Sequence, residues 1–347
     1  MDKTMEKKKG HLNYIIFLLG LVCVTFFVLL KDQNLETLYN IIKNLRPTML
    51  VLGLLSAFAF ICCEALVLQT LLAILGDKPS FFQTLKYSIV GFYFSSITPS
   101  ASGGQPMQVY YMKKDNINIS HSSLAILVTV IIYEIMMVSY ALLSLLFNFT
   151  FIKDKMYPIH LLLVFGFALN IILICIMLIA IFSDKLIFKI ADFFIKILNK
   201  LKIVKDVEKM KEHIIKEVKE YKNGAGLIRQ NFKAISKVFL ITFIQLTATY
   251  SITFFVYKAF GLNEISFWRI IALQSILNIS VSFIPLPGAV GASEGAFMLV
   301  FKNLFPIKLL TSAMLVTRGI SFYTLLFISS IFIIGIHIFG ENGMETF

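Results

Sequence analysis

Ile97-Thr98-Pro99-Ser100-Ala101-Ser102-Gly103-Gly104-Gln105-Pro106 and Ile284-Pro285-Leu286-Pro287-Gly288-Ala289-Val290-Gly291 interrupt a chain that is otherwise apolar enough to live in a bilayer. Each stands near the middle of its own hydrophobic block, one in each half of the sequence. Proline removes a backbone donor and glycine frees φ, so a helix entering either stretch has to unwind. Hydrocarbon cannot satisfy the polar groups this releases, and such backbone survives only inside protein or beside a polar cavity. A matched pair of interrupted segments therefore points to a transporter-like site at a repeat interface.

The rest of the composition agrees. The chain has 347 residues, is 58% hydrophobic and holds 34 phenylalanines, with a mean hydropathy of +0.82, which excludes an ordinary soluble globule. Apolar runs at 12–30, 49–75, 123–150, 157–182, 234–260 and 309–339 each suffice for the roughly 20 residues that cross a bilayer core. Shorter or broken stretches, 81–98 and 266–303, lie between them. The expected fold is an all-α polytopic membrane protein of about six to eight transmembrane helices, with two re-entrant or broken helices in pseudo-repeated halves. Lys7-Lys8-Lys9 ahead of the first run imitates a signal peptide. The run is long, however, and Lys31-Asp32-Gln33-Asn34 follows it without a small-residue cleavage site, so it reads as the first transmembrane helix. Cys23, Cys62, Cys63 and Cys175 fall inside predicted spans with no metal-type spacing and read as packing residues.

The net charge of +12 is concentrated: residues 184–233 carry +6 and residues 1–10 carry +2. The positive-inside rule places both segments in the cytoplasm. An even number of crossings must separate them, which the spans at 12–30, 49–75, 123–150 and 157–182 supply, so 81–98 has to enter and leave on one side. The expected organisation is a membrane half over 1–182 with a re-entrant segment 81–106, a basic cytoplasmic elbow over 183–233, and a second half over 234–347 with a broken segment 266–303. Whether 266–303 re-enters or crosses is left open by the sequence. Ile187, Ile190, Phe194, Ile197, Leu201 and Val204 recur at helical spacing opposite lysines and glutamates, as in an amphipathic helix on the membrane surface, and Asn223-Gly224-Ala225-Gly226 predicts its stop. This charge reads as a topology signal that also holds anionic headgroups; no nucleic-acid module accompanies it.

Charge inside hydrocarbon costs about 2.5–3.5 kcal/mol per group on insertion scales and so faces a partner or water. The candidates are Glu64, Glu134, Glu294 and Arg318. A guanidinium stays charged in any setting and matches a phosphate bidentately, which makes Arg318 a candidate for a phosphodiester headgroup. The carboxylates suit an amine-bearing headgroup or a proton relay, and a structural ion pair is the competing reading for each. The breaks offer neutral donors: backbone N–H groups at Gly103, Gly104, Gly288 and Gly291, and the side chains of Thr98, Ser100, Ser102, Gln105 and Ser293. The sequence has no P-loop and no HExxH, and His11, His121, His160, His213 and His337 stand apart. No catalytic residue, metal ligand or cofactor is expected.

Gly91-Phe92-Tyr93-Phe94-Ser95-Ser96-Ile97-Thr98-Pro99, Ser102-Gly103-Gly104-Gln105-Pro106-Met107-Gln108-Val109-Tyr110-Tyr111 and Phe283-Ile284-Pro285-Leu286-Pro287-Gly288-Ala289-Val290-Gly291-Ala292-Ser293-Glu294-Gly295 resemble the lysylphosphatidylglycerol synthase transmembrane family, the membrane region of the bacterial multiple peptide resistance factor. The likeness runs over roughly residues 12–338, with Thr317-Arg318 where the family often has Trp-Arg. It implies a domain that moves aminoacylated phospholipid, chiefly lysylphosphatidylglycerol, to the outer leaflet and lowers binding of cationic antimicrobial peptides. In full-length members a cytosolic domain transfers lysine from lysyl-tRNA to phosphatidylglycerol; only Gly340–Phe347 follow the last span here, so by that comparison the chain is expected to lack the transferase. The expected partners are anionic and aminoacylated phospholipids, with a separately encoded synthase and a second copy of the chain also allowed. The competing functions are phosphatidylglycerol lysyltransferase, as the family name implies, and a scaffold for a separate synthase.

Overall fold

The computed structural model describes residues 35–182 and 220–341. The expected span at 12–30, the basic residues 1–10 and most of the elbow lie outside the described residues. What is described is helical, with no strand among those residues.

The first half begins with α1 (Leu35–Lys43) and α2 (Pro47–Ile74), whose proline at the start fits the first helical turn. Next comes α3 (Phe81–Ile97), started by a reciprocal cap in which Ser80 Oγ accepts from the Gln83 N–H and Gln83 Oε1 accepts from the Ser80 N–H. A 3₁₀ turn (Pro99–Ala101) leads to α4 (Gly104–Lys114), then to α5 (Ile119–Met156) and α6 (His160–Phe182). The second half repeats the order: α7 (Phe232–Ala259), α8 (Phe267–Val281), a 3₁₀ turn (Pro287–Ala289), α9 (Ala292–Phe301), then α10 (Ile307–Arg318), which passes through a π-turn (Gly319–Tyr323) into α11 (Thr324–Glu341). Among the described residues five helical segments are long and apolar enough to cross a membrane: Pro47–Ile74, Ile119–Lys153, His160–Ile179, Phe232–Ala259 and Ile307–Ile336. Each coincides with a run expected from hydropathy.

The halves are inverted with respect to each other. At one end of the bundle the Arg46 N–H, ahead of α2, donates to the carbonyl of Ala259 at the end of α7 (3.2 Å). At the other end the last turn of α2 and the first turns of α7 line a common cleft. These two central helices are therefore antiparallel. They approach through small residues, with Gly53, Ser56 and Ala57 on α2 and a Ser251 to Ser56 hydroxyl contact of 3.3 Å. That is how helices associate in a solvent as apolar as their own side chains.

Each half then drives a short helical hairpin inward. The start of α3 and the end of α4 are joined by Lys86 Nζ to Asp115 Oδ2 at 2.5 Å, and the same end carries Asp77 to His121 (2.7 Å) and Asn118 to Glu220. The start of α8 and the end of α9 lie at the opposite end, where Phe267 meets Phe254 and Phe305 meets Tyr257, ring centroids 5.0 and 5.4 Å apart. The two 3₁₀ turns, the tips of these opposed hairpins, pack on each other. Around them a core of Ala57, Ile61, Tyr257, Ile276, Phe297 and Phe301 joins α2, α7, α8 and α9, while α6 turns Val164, Phe165 and Ile172 outward.

One expectation from the sequence fails. Asn223-Gly224-Ala225-Gly226 does not end a helix: residues 220–230 are helical throughout, and the break comes at Asn231. A Cβ on Gly224 would stand 2.8 Å from Leu124 Cδ2 and 2.9 Å from Leu75 Cδ2. The glycine is there for close packing onto α5 and α2, and that tertiary contact outweighs its poor helix propensity.

Candidate functional site

The two tips share one backbone design. Thr98 (φ −111°, ψ 144°) and Leu286 (φ −107°, ψ 142°) are extended; each precedes a proline and then a left-handed residue, Ser100 (φ 53°, ψ 26°) or Gly288 (φ 58°, ψ 15°). The following Ala101 and Ala289 are left-handed as well, at φ 53° and 49°. Hydrogen bonds repeat in step: Ala101 N–H to Thr98 O and Ser102 N–H to Pro99 O on one tip, Ala289 N–H to Leu286 O and Val290 N–H to Pro287 O on the other. Ser100 and the two alanines hold a conformation that non-glycine residues seldom adopt, and such strain collects at functional sites.

In the first tip the glycines serve closeness, because neither Gly103 nor Gly104 has a positive φ. A Cβ on Gly104 would lie 2.0 Å from Ser95 Oγ, and one on Gly103 would lie 2.7 Å from Thr98 Cγ2. Thr98 Oγ1 donates to Phe94 O (2.6 Å) and accepts from the Gly103 N–H (2.9 Å), so the Gly103 donor expected to be free is already engaged. Ser102 is exposed and donates to Pro99 O at 2.9 Å; Ser100 is exposed beside it, and Gln105 is half-buried.

Behind this tip, Gln108 on α4 reaches past α3 to α2, donating from Nε2 to Glu64 Oε1 at 2.9 Å. Only a glycine lets it pass, since a Cβ on Gly91 would stand 2.3 Å from Gln108 Nε2. Glu134 on α5, the helix that follows this hairpin, is half-buried, and its Oε2 is shielded from solvent without a hydrogen-bond partner.

The second tip is held by Arg318. Its Nε donates to Glu294 Oε1 at 2.7 Å and its Nη2 to Gly288 O at 3.0 Å. Glu294, 1% exposed, also accepts the Gly291 N–H on Oε2 (2.7 Å) and the Tyr323 hydroxyl on Oε1 (3.2 Å). The Gly291 donor expected to be free is therefore spent as well: this helix start is neutralised by a carboxylate of its own first turn. Ser293, next to it, is buried. The π-turn after Arg318 brings Phe322 beneath the guanidinium, 4.6 Å from Cζ to ring centroid, and Tyr323 at 5.8 Å. Gly288 is packed face to ring, since a Cβ there would meet Phe322 Cζ at 2.1 Å. Of the five guanidinium donors, Nε and one on Nη2 are used, and Nη1 is left for a further acceptor.

The structure thus joins Arg318, Glu294, Gly288 and Gly291 into one network, and Glu64 with Gln108 into another. Gln108, Gly91 and Tyr323 were not singled out from sequence, although Gln108 and Gly91 stand inside the quoted motif. Cys62 is half-buried, Cys63 buried and Cys175 exposed, all as free thiols. Among the described residues no group of His, Cys, Asp and Glu is arranged to hold a metal.

Fold and site together define a multi-pass α-helical membrane protein built from inverted halves, each contributing a broken hairpin to a common centre. The chain belongs to the family of the lysylphosphatidylglycerol synthase TM region, whose profile matches residues 14–329. It is also similar to a UPF0104 membrane protein of Archaeoglobus fulgidus, 24% identical over 313 residues covering 88% of this chain and 91% of the relative. A second UPF0104 membrane protein, from Pyrococcus horikoshii, is 23% identical over 324 residues, covering 90% of this chain and 93% of that protein.

Proposed function

We propose that the protein is a lipid translocase of the cell membrane, carrying an aminoacylated phospholipid of the lysylphosphatidylglycerol type to the outer leaflet and so contributing to resistance to cationic antimicrobial peptides. Residues 184–233 and the end of the bundle that holds Asp77, Asp115 and His121 face the cytoplasm in this reading. The observation that carries it is the contact of two unwound tips inserted from opposite ends. Polar backbone at the meeting point of inverted halves is the arrangement that lets one site be reached alternately from either side.

The charges fit such a headgroup. The apolar part of the helix after each hairpin carries a charged residue, Glu134 on α5 and Arg318 on α10, of opposite sign. A lysyl phospholipid presents a phosphate and ammonium groups, so Arg318 Nη1 receives the phosphate and the unpartnered Oε2 of Glu134 receives an ammonium. Glu294 keeps Arg318 oriented, and the shared charge offsets the cost of holding a guanidinium at this depth. An apolar slot of 320 Å³ bounded by α5, α7 and α8, with Tyr140, Ser144 and Trp268 in its wall, offers room for acyl chain.

The test is transport by purified protein in liposomes loaded with lysylphosphatidylglycerol in the inner leaflet, read by an amine-reactive reagent added outside. Wild type is expected to expose the lipid. Arg318→Ala and Glu134→Gln, folded to the same yield, are expected to lose most of the rate, and undiminished exposure by both variants would overturn the assignment.

A further inference from the structure

Away from the tips, a cleft of about 790 Å³ opens between the last turn of α2 and the first turns of α7, with Lys78, Lys233 and Lys237 around it. No carboxylate lines it. None of the three lysines has an ion-pair partner among the described residues, and Asp77, adjacent in sequence to Lys78, is committed to His121. Asn231 at its edge makes no cap hydrogen bond with its side chain, which leaves its amide as a neutral donor. Three uncompensated ammonium groups around one concavity focus positive potential there, which attracts an anion.

The walls below the cleft say what kind of anion. Leu66 lies one turn from Thr70 on the same face of α2, and Leu240 and Ile244 lie one and two turns from Lys237 on α7, with exposures of 39%, 60% and 49%. An apolar strip therefore runs from the cationic cleft along both helices toward the bilayer centre. A phosphate with acyl chains attached satisfies both parts, whereas a free phosphate uses only the lysines.

We propose that this cleft binds the phosphate of an anionic phospholipid headgroup in the leaflet at this end of the bundle. The site is separate from Arg318 and stands whether or not the protein transports lipid. Its test is native mass spectrometry of the full chain released from nanodiscs of phosphatidylcholine and phosphatidylglycerol. The wild type is expected to retain phosphatidylglycerol in preference. Replacing Lys78, Lys233 and Lys237 together by Gln is expected to cut that retention roughly tenfold or more. The same charge change at the opposite end, Lys43→Gln with Lys302→Gln and Lys308→Gln, is expected to leave it intact. Equal loss in the two triple variants would overturn the proposal, and so would displacement of the lipid by millimolar inorganic phosphate, which would mark a site for free phosphate. Retention is read without any transport assay, so failure of transport and failure of this site are distinguished.

Discussion

Gly288 and Gly91 show how single missing side chains hold the centre together. Gly288 combines a left-handed backbone, φ 58°, with a ring 2.1 Å from where a Cβ would stand. Gly288→Ala is expected to displace Phe322 from under Arg318 and to cost about 1–3 kcal/mol of stability. Thermal unfolding in detergent measures it, and Phe322→Leu in the same background should return part of the loss. Gly91 differs, because its conformation is ordinary and only Gln108 occupies the space, with Nε2 2.3 Å from the added Cβ. Gly91→Ala is expected to break the Gln108 to Glu64 bond, and combining it with Gln108→Ala should add little further destabilisation, a coupling that a double-mutant cycle quantifies. Composition marked Arg318, Glu294, Glu64 and Glu134 as expensive in hydrocarbon, and the structure finds a partner for the first three. Which partner was not readable. Glu294 is three residues beyond Gly291 on the same chain, but Gln108 and Glu64 meet only because two helices cross at a glycine.

At the scale of the helices, hydropathy located the five described spans because each exceeds the thickness of a bilayer core, a criterion that tolerates errors of a turn. Prolines 99, 285 and 287 located the breaks for the equally local reason that they cannot donate. What local rules could not supply was the role of each glycine. Ser100 and Ala101, not Gly103 and Gly104, take the left-handed positions of the first tip, and Gly224 lies within a helix where composition suggested a stop. The last case is testable against its neighbour. Gly226 has nothing within 4 Å of an added Cβ, whereas Gly224 faces Leu75 and Leu124. Gly226→Ala is expected to raise stability by up to about 1 kcal/mol through helix propensity, and Gly224→Ala to give none of that gain because two core leucines must move. Melting temperatures of the two variants decide it.

At the scale of the molecule, the described residues form two copies of one plan placed head to tail, and the proposed transport requires the tips to part. A short bis-maleimide joining cysteines introduced within 99–101 and 287–289, with Cys23, Cys62, Cys63 and Cys175 replaced, is expected to form readily and to stop transport, while the same cysteines left unlinked retain it. Opposed broken hairpins were foreshadowed by the paired motifs. Their contact was not, since it follows from the antiparallel crossing of α2 and α7, which no stretch of either helix encodes alone. The most direct test of the transport claim is leaflet-resolved lipid analysis in a host supplied with a separate lysylphosphatidylglycerol synthase, with and without this chain. A rise in outer-leaflet lysylphosphatidylglycerol at constant total is the predicted result; an unchanged distribution between leaflets would contradict it.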